Sequence, residues 1–257
     1  MYSKPLLSSN NAKTVKGEKK NFKTFILYMS PFTQNSKGVN LCPMASEGCA
    51  SACLFESGFG GIYTSVKQGR IEKTEFYLSN RIAFLDKLVV EISKLEKKFQ
   101  GSEFTLAIRL NGTTDISYEK QITSNGKTIF DTFPNVQFYD YTKNYTRFRK
   151  VLPNNYHLTF SRSEINNDIA MDLLSKGNNV AMVFDKLPET YLGYKVVNGD
   201  ETDLRFLDDK NVIVGLKYKK VTGKGGAEKN KEAMLDGFVI VTETKVDKVN
   251  KKLIKVA

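Results

Sequence analysis

The chain is poor in the residues that make metal and redox sites. Its 257 residues contain one histidine, three cysteines, six prolines and no tryptophan. An odd cysteine count in a chain with no secretory leader argues against a disulfide framework and for metal or redox use. The first residues, M-Y-S-K-P-L-L-S-S-N-N-A-K, lack the long apolar core of a signal peptide, which places the protein in a cytoplasm. No apolar run approaches the ~18 residues of a membrane span. A G-x-G-x-x-G fingerprint is missing, so no dinucleotide site is expected, and no repeat of fixed period occurs. Closely spaced C-x-x-C pairs, the usual mark of zinc, are also absent.

The cysteines that do occur are Cys42, Cys49 and Cys53, all inside L-C-P-M-A-S-E-G-C-A-S-A-C-L. Cys49 and Cys53 are four apart, so a helical turn would put both sulfurs on one face. Pro43 favours an extended backbone at Cys42. The segment can bring three thiolates around one point. Four readings follow. The first is a [4Fe-4S] cluster with three cysteine ligands. The second is a Cys3His zinc site completed by His157. The others are chemistry by a single cysteine and small buried residues with no metal.

Hydrophobic content of 40% and charged content of 26% describe a globular chain with ample core. The net charge of +11 draws it to polyanions, so nucleic acid is a candidate partner, although no compact arginine cluster with interleaved aromatics accompanies it. Three regions are expected: a flexible polar arm over 1–21, one domain over 22–242, and a basic tail over 243–257.

Within the domain, strands are expected at 22–29, 104–111, 136–142, 156–162, 179–185, 191–197, 212–218 and 238–242, with helices at 69–99, 129–133, 144–151 and 164–176. The glycine-rich stretch 56–61 allows close approach of a ligand, and 220–236 reads as a Lys/Gly-rich loop. Strands alternating with helices imply parallel β-α units, whose functional groups gather at the strand C-termini. Strands 104–111 and 156–162 carry one apolar face and one face bearing Arg109, Asn111, His157, Thr159 and Ser161. A sheet covered on both faces would be apolar on both. The fold class is therefore α/β, a partial or irregular β/α (TIM-like) barrel. Arg109, Asn111, Asp115, Ser161 and Arg162 are the candidate cofactor-binding residues. Arg109, Asp115, Lys143 and His157 are the candidate catalytic ones. His157, facing the lumen, is the candidate fourth metal ligand or proton donor.

Three cysteines on the loop after the first strand of a β/α barrel resemble the radical S-adenosylmethionine enzymes. That resemblance implies a [4Fe-4S] cluster whose open iron binds S-adenosylmethionine. The spacing here is six then three residues instead of three then two. N-G-T-T-D stands where that family carries Gly-Gly-Glu, and both departures weigh against S-adenosylmethionine. A closer resemblance is to proteins of tailed bacteriophages with a C-P-x-A-x-x-x-C-x-x-x-C element. It is carried by Cys42, Pro43, Ala45, Cys49 and Cys53, by Arg109, Gly112 and Asp115, and by Tyr141-Thr142-Lys143, over roughly 40–240. It implies a phage origin, hence the host cytoplasm, without an activity. The expected function is an iron–sulfur protein, with redox or radical-type catalysis on a small molecule or nucleotide. The alternative is a basic nucleic-acid-associated protein with a structural zinc.

Overall fold

The computed structural model describes residues 2–9, 12–53, 63–221 and 225–242. Ten strands and seven helices are assigned among them. The core is a parallel series: β2 (Phe22–Leu27), β3 (Thr105–Arg109), β4 (Gln137–Thr142), β5 (Tyr156–Ser161) and β6 (Val180–Phe184), each hydrogen-bonded to the next. Beyond β6 lie β9 (Ile213–Lys217) and then β8 (Tyr194–Asn198), also parallel. At the outer edges, β1 (Leu7–Ser8) pairs antiparallel with β2, and β7 (Thr190–Tyr191) pairs antiparallel with β8. β10 (Val239–Ile240) returns to pair parallel with the end of β6. The sheet is mostly parallel and open; it is not a closed barrel, and the expected TIM-like closure is corrected to this extent.

The order advances in one direction from β2 to β6, so right-handed crossovers put the helices on one face. The first helices, α1 (Ala12–Glu18) and α2 (Glu47–Ser51), are short. They are followed by α3 (Thr64–Ser79) and α4 (Arg81–Phe99). The periodicity over 69–99 reads as one helical region; Asn80 divides it. Its φ of −149° and ψ of 86° leave helical space, and its side chain accepts from the Ala83 amide at 3.0 Å, which starts α4. Phe84, Leu85, Leu88 and Ile92 form the buried stripe of α4 against Leu106, Ile108, Leu110 and Phe138. Burying each such side chain contributes roughly 1.5–3 kcal/mol. Helix α5 (Ile129–Thr132) is short, and α6 (Asn167–Ser175) covers Phe160, Val180, Met182 and Phe184.

The other face is covered differently. The connection from β8 to β9 lies across it. Phe206 meets Phe22 and Tyr139 at ring centroid distances of 5.0 and 5.5 Å. Asp203 reaches Arg109 at 2.9 Å. A barrel would close there by strand pairing; here an irregular segment fills the concavity with side chains.

Two expected loops are structured. Residues 5–8 of the expected arm bury Leu6 and Leu7, held by the Leu6 and Leu7 amides donating to Glu91. Within 220–236, α7 (Gly226–Leu235) forms. The expected strand 191–197 is instead a hairpin, because Leu192 and Gly193 turn the chain at φ of 50° and 83°. The glycine-rich stretch 56–61 and the tail 243–257 lie outside the described residues.

Candidate functional site

The C-terminal ends of the parallel strands surround a cavity of about 260 Å³. Cys42, Cys49 and Cys53 all line it, as do Arg109, Asp115, Lys143 and Ser161. The sequence places these residues after β2, β3, β4 and β5, which is where parallel strands gather polar groups.

The cysteine wall is a loop and a short helix. Asn40 accepts from the Cys42 amide at 2.8 Å, and the Cys42 thiol donates to the Thr113 carbonyl at 3.5 Å. Ser46 caps α2 by accepting from the Cys49 amide. Glu164, just past β5, accepts from the Ser46 hydroxyl at 2.8 Å and from the Gly48 amide at 2.9 Å. Gly48 permits this: a Cβ there would stand 2.8 Å from both Asp236 and Phe238. The i, i+4 argument for Cys49 and Cys53 meets a limit, since α2 ends at Ser51 and Cys53 lies beyond it. The three thiols line one cavity without meeting at a point. Among the described residues no group of three or more His, Cys, Asp or Glu side chains is arranged to hold a metal ion.

Burial raises the Cys42 thiol well above its ordinary pKa, and Asp115 and then the Cys53 and Cys49 sulfurs add to it. Burial also raises Cys49; the Lys143 ammonium opposes this, while Glu164 and Asp115 reinforce it. A positive charge among the thiols would relieve both.

The facing wall is the loop from Asn111 to Asp115 and the turn after β4. Gly112 is required here, because a Cβ would lie 2.6 Å from Tyr28 and 2.8 Å from the Leu27 carbonyl. Asp115 accepts from the Thr142 hydroxyl at 2.7 Å and the Lys143 amide at 2.8 Å. It also pairs with Arg147 at 3.3 Å. Arg147 is fully buried and reaches Glu119 through two nitrogens and the Tyr156 hydroxyl at 2.8 Å. Tyr156 in turn donates to Asp140, which accepts from the Asn111 amide at 2.8 Å. Asp140 is buried, and burial pushes its carboxyl up to about 6 against the pull of Arg109 and of the Asn111 amide.

Lys143 directs its ammonium to the Ser161 hydroxyl at 3.0 Å and to the carbonyls of Ser161 and Arg162. Arg109 donates to Asp203 at 2.9 Å and lies over the Tyr141 ring, 4.8 Å from its centroid.

Two candidates fall elsewhere. Arg162 does not line the cavity. Its guanidinium donates to the Gly237 and Phe238 carbonyls and to Asn167, tying β5 to the approach of β10. His157 does face inward as its strand alternation requires. It is only the second residue of β5, however, beside Thr159 and under the influence of Arg205, and does not line the cavity. Burial first and Arg205 second lower its pKa to about 4. The imidazole is thus on the right face but at the wrong height for a Cys3His site.

Tyr141, Lys217 and Lys219 are not among the candidate site residues named from the sequence. All three line the cavity. Their positions at the ends of β4 and β9 were the available signal. Glu164, expected as the start of a helix over 164–176, is the clamp of α2.

Among the described residues no helix is long and apolar enough to cross a membrane. Neither a curated protein nor a solved structure matches the chain. The Gene product 88 family matches residues 5–236, and the chain belongs to that family.

Proposed function

We propose that the cavity holds a [4Fe-4S] cluster on Cys42, Cys49 and Cys53. The protein would then be a phage-encoded iron–sulfur enzyme of redox or radical type, working in the host cytoplasm on a small molecule or nucleotide bound in the same cavity. One observation carries the reading: every cysteine of the chain lines a single cavity at the C-terminal ends of parallel strands. The donor set suits the group. The Cys53 and Cys49 sulfurs add to the raised pKa of Cys42, and ligation by a cation favours its thiolate form. A single zinc ion draws sulfurs in to ~2.3 Å around one point. A cluster takes each thiolate on a different iron, so thiols that line a cavity without converging favour the cluster. With His157 away from the cavity, the zinc alternative lacks its fourth protein ligand. The nucleic-acid reading rests on net charge alone.

A three-cysteine cluster supplies electron transfer or a Lewis-acidic iron when bound. The chain's own residues do the rest. Glu164 fixes the helix that carries Cys49. Asp115, held by Arg147 and Thr142, sets the loop against Cys42. Lys143 places a positive charge beside Cys49. S-adenosylmethionine stays outside the proposal, because Asn111 and Asp115 of N-G-T-T-D are engaged in fixing their own loop.

Anaerobic purification followed by iron, zinc and acid-labile sulfide analysis tests the reading. Iron and sulfide with broad visible absorption, lost in Cys49→Ala, are expected. A protein with neither iron nor labile sulfide would overturn it.

A further inference from the structure

Two arginines near the cavity differ in how their nitrogens are used. Arg147 is fully buried, lies outside the cavity, and engages Glu119, Asp115 and Tyr156 through all three nitrogens. Arg109 lines the cavity, with 14% of its side chain exposed. Among the described residues it makes one side-chain hydrogen bond, from Nη1 to Asp203, while its buried Nε has no hydrogen-bond partner and lies 3.9 Å from the Asp140 carboxylate. A guanidinium carries five N–H donors, and nearly buried donors are ordinarily satisfied. The Tyr141 hydroxyl, from the ring beneath Arg109, is likewise buried without a partner.

The charge around the cavity is also unbalanced. Arg109, Lys143, Lys217 and Lys219 line it, against Asp115 and Asp200; Arg109 also pairs with Asp203 at 2.9 Å, and Lys219 lies 4.0 Å from Asp200. Asp115 is already paired with Arg147 from behind the wall. Lys143 directs its ammonium to carbonyl and hydroxyl oxygens of Ser161 and Arg162, with no carboxylate in ion-pair contact among the described residues. Phe238, Tyr218 and Leu216 give the remainder an apolar lining.

We infer that the cavity recognises a small molecule through an oxyanion group, a phosphate or a carboxylate, received by Arg109 and Lys143. This deepens the reading of the cavity as a substrate site, and it needs no metal to be present. A planar guanidinium and an ammonium on one cavity are the donors such a group takes, and charge-assisted bonds there are the strong ones. The apolar lining accommodates the uncharged part of the ligand.

Calorimetric titration with adenosine monophosphate, inorganic pyrophosphate and succinate tests this on the purified full-length protein, with iron and sulfide measured on the same sample. Saturable binding of at least one is expected, and the preferred probe separates phosphate from carboxylate. Lys143→Met and Arg109→Gln should each weaken it by about tenfold or more, the loss of a charge-assisted hydrogen bond. Because Arg109→Gln also removes the cation paired with Asp203, Tyr141→Phe is the control for folding. It removes a buried hydroxyl with no hydrogen-bond partner among the described residues, so the melting temperature and the affinity should both hold. No saturable binding of any probe, or equal affinity in wild type and Lys143→Met, would overturn the inference. Binding without iron would sink the cluster reading alone; iron and sulfide without binding would sink this one alone.

Discussion

The two walls of the cavity are built in opposite ways. The wall carrying Asn111, Asp115 and Lys143 stands on a buried network in which Arg147, Tyr156, Asp140 and Glu119 satisfy one another. The wall carrying the cysteines is a loop and a five-residue helix held by one carboxylate, Glu164, by the Asp115 amide donating to the Leu41 carbonyl, and by packing of Cys49 and Ala52 on Phe238 and Val239. One wall is fixed by the core before any ligand arrives. The other depends on a few polar contacts near the surface and on packing against Phe238 and Val239. The lesson is that the buried anchoring network and the three cysteines belong to different parts of the chain.

The contrast can be broken most severely at Arg147. Arg147→Met leaves Asp115 and Glu119 without their buried cation, and a loss of about 3–5 kcal/mol is expected in urea unfolding followed by circular dichroism. If the loss is under ~1 kcal/mol, the network is not the anchor described. Gly112→Ala tests the same wall by volume. Its Cβ would press on Tyr28 and the Leu27 carbonyl, costing about 1–3 kcal/mol in the same assay. On the other wall, Glu164→Gln should lower stability by only about 1 kcal/mol. Its main expected effect is on the iron content of protein purified anaerobically, and full occupancy would show that the clamp is dispensable.

The smallest effects are in pH dependence, and they have opposite signs. Asp140 has its folded pKa raised to about 6 from an ordinary 3.8, so the folded state binds more protons and this group costs stability as pH rises through that window. His157 has its folded pKa lowered to about 4 from 6.5, so the unfolded state binds more protons and stability rises with pH. Urea midpoints between roughly pH 4 and pH 6.5 should steepen upward in Asp140→Asn and flatten in His157→Gln. Parallel profiles for both variants would show that neither group titrates as its surroundings dictate.

Much of this fold was legible in the sequence. The strand cores at 105–109, 137–142, 156–161 and 180–184 fall inside the expected segments because apolar alternation marks them. The polar groups at their ends mark the cavity for the same reason. What escaped detection depends on distant partners. Leu6 and Leu7 sit in a polar stretch, and only Glu91 and the edge of β2 give them a place. Arg147 occupies a 3-10 turn whose local sequence says nothing of Asp115 or Glu119. The height of His157 along β5 is invisible to an alternation that reports only its face. The expected closure into a barrel failed because the connection over residues 199–208 occupies the concave face.

The return of β10 also bears on the order of assembly. Cys49 and Ala52 pack on Phe238 and Val239, close to the opposite end of the described chain. Contacts between segments so far apart in sequence form late, because the intervening chain must first be ordered. During synthesis the cysteine segment therefore leaves the ribosome long before the surface it rests on exists. Its thiols stay accessible through that interval, until the surface around Phe238 and Val239 forms over them.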